Sequence, residues 1–420
     1  MRVIRLHPLP EAEHDCPHCR RPLEVSGWHI PGMRNLADLR CPACGREFYG
    51  DLAAGQALYT AMLLEKESGV VYDKHSVEWF AAWLRDAFVH RTDTPVTFNV
   101  EKRLPITRPV VLLNCLDTLY GHSLLKLLNA QYYLERDVDL ILIVPSFLAW
   151  MIPEGVAQVW IVGLPLERGT EWNDWIAREI HQRAEAFETV NLSLALSHPN
   201  PRDYNLERFT QIAPFPLEQW KARLERPTVT FIWRDDRTWH SRAATSPASV
   251  YGKLRRGSQS GSLVAQGSLV AALAEALRSE WPTLDFAVAG LSEVKNSEGL
   301  PTWVQDLRSS TMDENHEQRC CERYASSHVV IGVHGSNMLL PSGHAGAVVE
   351  LIEPERWGNF AQDILFRECG DDCREMLFRY RFVSGSTRPA EIAQLVSLLL
   401  RGRESFRSLM DTAPRRDTHR

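Results

Sequence analysis

From residue 109 onward the chain alternates short, wholly apolar runs with amphipathic segments. "PVVLLN" (109–114), "VDLILIVP" (138–145), "AQVWIVGLP" (157–165) and "TVNLSLAL" (189–196) predict buried strands. Between them, "SLLKLLNAQYYLE" (123–135), with Ser123 as its cap, and "EWNDWIAREIHQRAEAF" (171–187) carry apolar residues at helical spacing. After a polar stretch the pattern restarts. "PTVTFIW" (227–233), "LDFAVAGL" (284–291), "HVVIGVHG" (328–335) and "AVVELIEP" (347–354) predict strands. "SLVAALAEALRSEWP" (268–282), "DENHEQRCCERYASS" (313–327), "FAQDILFREC" (360–369) and a long terminal segment over 391–410 predict helices. Strands that are continuously apolar and separated by helices predict an α/β protein whose parallel sheets are covered on both faces. The break between halves falls near 200–226. A further helix is expected over roughly 55–90, where Trp79, Phe80, Trp83, Leu84 and Phe88 recur at helical spacing.

The first fifty residues follow no such pattern and carry a different signal. "CPHC" and "CPAC" place Cys16, Cys19, Cys41 and Cys44 in two CxxC pairs. Four thiolates close a tetrahedral shell around zinc and leave no open position for catalysis, so a structural Zn2+ is expected. Gly45 suits the tight turn after the second pair. Nearby Arg20, Arg21, Arg34, Arg40 and Arg46 keep a nucleic-acid reading of the zinc ribbon open. Asp15, Glu24, Asp38, Glu47 and Asp51 oppose it, and a small module needs metal simply to hold together.

Composition narrows the class further. The 420 residues suffice for two or three domains, and the formal net charge of -6 gives no broad attraction to nucleic acid. No apolar run approaches membrane-spanning length and the amino terminus lacks a signal-peptide core, so a cytoplasmic protein is expected.

Candidate chemistry sits where strands end, because open α/β sheets bind ligands beyond the carboxyl ends of their strands. Arg234 and Arg237 follow one strand, His334, Gly335, Ser336 and Asn337 follow another, and Glu350 lies near the end of a third. Gly335 would let backbone and ligand approach closely. Ser336 or Asn337 would start a short helix ending at Pro341, whose free N–H groups attract an anion such as a diphosphate. His334 can bond a phosphate or a sugar hydroxyl, Glu350 ribose hydroxyls, and Arg234 phosphate oxygens. In "RDDR" the neighbouring carboxylates point to opposite faces beside arginines, which disfavours a cation there.

The segment "HEQRCCERYASSHVVIGVHGSNMLLPSGHAGAVVELIEP" (316–354) resembles the signature of family-61 glycosyltransferases, with "TFIWRDDR" as a second match. The resemblance implies the GT-B architecture, two Rossmann-like domains, to which this chain adds the zinc ribbon. It also implies a nucleotide-sugar donor held by the carboxyl-terminal half without a metal, and a hydroxyl-bearing acceptor presented by the amino-terminal half. Carried over, His334, Gly335, Ser336 and Asn337 would contact the donor diphosphate or sugar, Glu350 the nucleotide, and Arg234 the phosphates. Two departures stand out: a short Gly-Ser-Asn turn where family members carry Gly-Ala-Gly-Leu-Thr-Asn, and a longer "PSGHAGA" step.

The expected plan is therefore a zinc ribbon (1–52), a helical connector (53–108), an acceptor domain (109–226), a donor domain (227–390) and a terminal helix and tail (391–420). Glycosyl transfer needs a base for the acceptor hydroxyl. Asp117 and His122, in "NCLDTLYGHS" after the first strong strand, are the candidates. A helix-capping Asp117 and a loop His122 are the alternative. The Gly/Ser-rich stretch 249–268 is expected to be mobile, with Lys253, Arg255 and Arg256 able to close over a diphosphate. Two other functions fit the same residues: a zinc-ribbon nucleic-acid binder, and a catalytically inactive glycosyltransferase-like scaffold.

Overall fold

The computed structural model describes residues 3–73, 77–200, 204–240, 259–292, 299–311, 313–366 and 373–411. The chain divides into two compact units, Met1–Phe209 and Thr210–Arg420.

The first unit holds two sheets. Strands β1 (Val3–His7), β7 (Phe98–Lys102), β8 (Val110–Asn114), β9 (Asp139–Pro145), β10 (Gln158–Val162) and β11 (Val190–Ser193) form one, in the order β1-β11-β8-β9-β10-β7. Its four central strands are parallel, and β1 and β7 close the edges antiparallel. Every residue of β8 and β9 is buried, which explains their unbroken apolar runs. The helix Asp174–Ala184 is capped by Asn173, whose side chain accepts from the N–H groups of Trp175 and Ile176.

The second sheet of this unit is an antiparallel meander of β2 (Glu24–His29), β3 (Leu36–Arg40), β4 (Glu47–Asp51), β5 (Met62–Glu65) and β6 (Val71–Asp73). It is no separate bead: Cys16, Cys41 and Phe48 share one core with Leu112, Ile141 and Leu192 of the larger sheet. The stretch expected to be helical over 55–90 is helical only at Ala57–Thr60 and Glu78–Val89 among the described residues. Residues 62–65 and 71–73 are drawn into the meander, where all four side chains of β5 are buried. Phe80, Leu84 and Phe88 do form the buried face of Glu78–Val89.

The second unit is built on one parallel sheet: β12 (Thr228–Trp233), β13 (Asp285–Leu291), β14 (Gln305–Ser309), β15 (Val329–Val333), β16 (Ala347–Ile352) and β17 (Tyr380–Ser384). The order β14-β13-β12-β15-β16-β17 is, counted within the unit, 3-2-1-4-5-6, the doubly wound Rossmann arrangement. Helices Gln259–Glu280 and Pro389–Asp411 pack with it around Phe231, Val288, Ile331 and Val349.

Four local expectations are corrected. Helix Tyr120–Leu128 begins three residues before Ser123, which is buried in its interior rather than at its cap. Pro341 lies in the first turn of the helix Leu339–His344, where its missing N–H costs nothing, rather than ending it. Residues 360–366 form turns and irregular chain instead of a helix, and 367–369 lie outside the described residues. Residues from 259 onward belong to a helix rather than to a mobile insert; Lys253, Arg255 and Arg256 lie outside the described residues.

Candidate functional site

In the second unit the strand order reverses between β12 and β15, so the crevice beyond their carboxyl ends is the expected ligand position. The side chains gathered there are those that follow the two strands. Arg234 donates from Nη1 to Asn337 Oδ1 at 2.9 Å and, at 3.4 Å, to the His334 carbonyl. Arg237 donates to the same carbonyl at 2.5 Å. One backbone oxygen thus holds two guanidinium groups side by side. Burial, and then the charge of Arg234 and of Arg356, lowers the Arg237 pKa. Asp236 is paired with Arg234, at 2.5 Å between Nη2 and Oδ2, and Asp235 accepts from Trp233 Nε1 at 2.7 Å.

Gly335 makes this convergence possible. Its φ is +151°, and a Cβ there would stand 2.1 Å from Arg234 Nη1. The room it gives is filled by the guanidinium.

His334 lies beneath the arginines and is 1% exposed. Its Nδ1 is 2.5 Å from Glu350 Oε2, and its Nε2 is 3.7 Å from Asp363 Oδ2. Glu350, which stands opposite Gly332 in the β15–β16 register, is fully buried. Burial pushes its carboxyl up to about 7, against the opposing pull of His334. Among the described residues, His334 Nε2, Asn337 Nδ2 and Glu350 Oε1 have no hydrogen-bond partner. Buried polar groups of this kind are normally satisfied, so the unpaired atoms of His334 and Asn337 mark a place shaped for something else, while Glu350 lies too deep to meet it. Ser336 opens the short 3-10 turn Ser336–Met338 and is half-buried.

In the first unit Asp117 and His122 are brought together. His122 Nδ1 is 3.4 Å from Asp117 Oδ1 and 3.0 Å from Gln56 Nε2. Asp117 also accepts from the N–H of Leu119 at 3.2 Å. Its other oxygen is 2.7 Å from Lys126 Nζ, and both side chains are buried. Burial alone would raise the Asp117 carboxyl; Lys126 and then His122 outweigh it and hold it well below the usual carboxylate range.

Sequence reasoning missed Lys126, Arg356 and Asp363. A lone lysine inside "LLKLL" was the available signal for the first, since charge at a core position needs a partner.

The four cysteines also converge. Their sulfurs all lie within 4.8 Å of one another, with Cys16 to Cys44 at 3.6 Å and Cys19 to Cys41 at 3.4 Å. Zinc–sulfur bonds of about 2.3 Å at tetrahedral angles put sulfurs about 3.8 Å apart, so the donor set can hold such an ion. Each pair sits on a matching turn: Arg20 N–H returns to the Cys16 carbonyl and Gly45 N–H to that of Cys41, with φ of 61° at Arg20 and 73° at Gly45. Among the described residues this is the group of three or more potential ligands that lies close enough for a metal. No helix of the described residues is long and apolar enough to cross a membrane.

No protein-family model matches the chain, and no curated protein matches it in sequence. Among solved structures, the E. coli ADP-heptose LPS heptosyltransferase II aligns over 71% of this chain and 100% of its own, at 12% identity and a TM-score of 0.40. A family 9 glycosyl transferase from Veillonella parvula DSM 2008 aligns over 71% and 98%, at 8% identity and 0.37. At scores this low the fold rests on the strand order given above, and nothing about activity follows from either protein.

Proposed function

We propose that the chain is a nucleotide-sugar-dependent glycosyltransferase whose donor binds in the second unit without a catalytic metal. The observation that carries this reading is the pair of guanidinium groups, Arg234 and Arg237, hydrogen-bonded to one carbonyl at the switch point of a 3-2-1-4-5-6 sheet. Such a cradle suits a diphosphate, and cationic donors fixed in advance stabilise the charge that develops on it as it leaves. Asn337 Nδ2 then gains an acceptor, His334 Nε2 can take a hydrogen bond from a hydroxyl of the donor sugar, and Ser336 and the Gly335 backbone border the same ligand. The resemblance of residues 316–354 to family-61 glycosyltransferases agrees with this reading.

In the transfer step the acceptor oxygen bonds to the anomeric carbon as that carbon's bond to the diphosphate oxygen breaks. The hydroxyl proton passes to His122. Asp117, held ionised by Lys126, is the weaker acceptor and steadies the imidazolium that forms. In this reading Glu350 orients His334 instead of touching ribose. The four cysteines hold a structural Zn2+ that closes the two turns and takes no part in transfer.

The test is direct. Thermal shift by uridine and guanosine diphosphates, followed by a nucleotide-sugar panel assayed for released diphosphate, should give binding that is lost in Arg234→Ala and His334→Ala. A folded chain that binds neither nucleotide ends the proposal.

A further inference from the structure

Asp117 and His122 meet at one ring nitrogen, and a third side chain meets them there. Gln56 stands just before the short helix Ala57–Thr60. It is tied close to the end of β11 by its neighbour Gly55, whose N–H donates to the Leu194 carbonyl at 2.7 Å. The amide of Gln56 approaches His122 Nδ1 through Nε2 at 3.0 Å, closer than Asp117 Oδ1 at 3.4 Å.

The two contacts make opposite demands on that nitrogen. An amide N–H needs a lone pair on Nδ1, whereas a carboxylate needs a proton there. Asp117 is ionised, because Lys126 Nζ stands 2.7 Å from its other oxygen. A lone pair on Nδ1 would face that negative charge and be repelled; a proton on Nδ1 is attracted to it. The proton therefore belongs on Nδ1, and the atom that Gln56 turns to the ring must be its oxygen. An amide's nitrogen and oxygen fill the same space, so the hydrogen-bond network decides between them.

The far end of the amide gives the same answer. With Oε1 turned away from the ring, that oxygen is buried and, among the described residues, has no hydrogen-bond partner; Oδ1 of Asp51 is in the same state. Gln56 and Asp51 line one small void of about 10 Å³, room for roughly one water. Asp51 Oδ2 is already taken by Arg34 and the N–H of Met62. Half a turn of the amide replaces an unpaired acceptor with a donor, in surroundings that include the unpaired Asp51 oxygen. Buried polar groups are normally satisfied, which favours that orientation.

We propose that Gln56 is a positioning residue for the base: its amide oxygen and Asp117 Oδ1 share the Nδ1 proton of His122, which keeps the lone pair on Nε2 to receive the acceptor hydroxyl's proton. The opposite tautomer carries its proton on Nε2 and can take none there. The inference rests on the glycosyl-transfer reading and adds a residue to its proton step.

The experiment is long-range 1H–15N correlation NMR on the full chain with labelled histidine, at a pH where the ring is neutral, His122 being assigned by its absence in His122→Ala. The wild-type ring should carry its proton on Nδ1, with Nε2 bare. Gln56→Met keeps the length of the side chain and removes the amide. It should bring in the Nε2-protonated tautomer and lower turnover by roughly fivefold or more, while nucleoside diphosphate affinity stays as in the wild type. A wild-type ring protonated on Nε2, or a Gln56→Met variant with wild-type tautomer or wild-type turnover, overturns the proposal. The wild-type spectrum decides even if the variant is fragile. A wild-type chain that releases no diphosphate from any nucleotide sugar overturns glycosyl transfer instead and leaves the tautomer result standing, so the two failures are separable.

Discussion

His334 Nδ1 and Glu350 Oε2 stand 2.5 Å apart with both side chains out of solvent, so the orientation of the imidazole is set from below by a carboxyl that no ligand can reach. Glu350→Gln keeps an oxygen for the Nδ1 proton and should cost less than tenfold in nucleotide affinity. Glu350→Ala frees the ring and should cost tenfold or more, about 1.4 kcal/mol. Calorimetric titration with a nucleoside diphosphate separates them; equal losses would mean the carboxyl does not orient the ring. The raised Glu350 pKa also has a sign. The folded state holds its proton between 4.5 and about 7 while the unfolded state releases it. This contribution to stability is therefore present below 4.5 and lost as pH rises toward 7. Urea midpoints over that range should fall more steeply for the wild type than for Glu350→Gln.

Gly335→Ala is the sharpest single test of the arginine cradle. The new methyl group collides with the Arg234 guanidinium at 2.1 Å, on a backbone that L side chains rarely adopt. The strain is on the order of 1–3 kcal/mol. The expected outcome is a folded protein by circular dichroism whose diphosphate affinity drops at least tenfold.

The two parallel sheets were legible because their central strands are buried on both faces and so read as unbroken apolar runs, as in "VVLLN" and "LILIVP". Edge strands were not. "FNVEK" (β7) and "QDLRS" (β14) carry charge toward solvent, which suppresses the apolar pattern and protects the edge. The meander was hidden for another reason: Met62–Glu65 is apolar next to a true helix, and periodicity over so short a run cannot tell the two apart. Arg234, Arg237 and His334 could be found because they directly follow strands. Arg356 comes from the short 3-10 helix Pro354–Asn359 and Asp363 from the turn that follows it, where no periodic pattern sets position. Glu350 was found, but whether it faced a ligand or the core depended on which side of β16 it takes, and it points inward.

The four sulfurs give a prediction about metal. The purified chain should carry one equivalent of zinc by elemental analysis. Cys41→Ser should lower that content and destabilise the first unit, because Cys41 is fully buried in the core shared with Leu112 and Ile141. Diphosphate binding, assigned to the second unit, should survive.

His328 sets a pH limit on the second unit. It accepts from the N–H of Thr228 at Nδ1, donates from Nε2 to the Trp220 carbonyl, and is packed by Phe215. Burial lowers its pKa from 6.5 to about 4. The unfolded chain therefore binds the extra proton first, and stability is lost as pH falls from 6.5 toward 4, by roughly 3 kcal/mol at most. Chemical denaturation from pH 7 to 4.5 should show that slope, and His328→Leu should remove it even though the variant is less stable throughout.

The last prediction concerns the proton. His122 has one face on Gln56 and Asp117, and Asp117 is kept ionised by Lys126. If His122 takes the acceptor proton, His122→Ala should lower the turnover number by about 10²–10⁴, the usual worth of a positioned base, and leave diphosphate affinity as in the wild type. Asp117→Asn removes the charge that favours the imidazolium but keeps the side-chain oxygen, so its loss should be smaller. Lys126→Met leaves a buried carboxylate without its partner, a change that costs about 3–5 kcal/mol. It should destabilise the first unit more than it slows transfer. Steady-state assays of released diphosphate with urea unfolding of the same variants check the order. An Asp117→Asn defect larger than that of His122→Ala would move the proton to the carboxylate and make the imidazole its support.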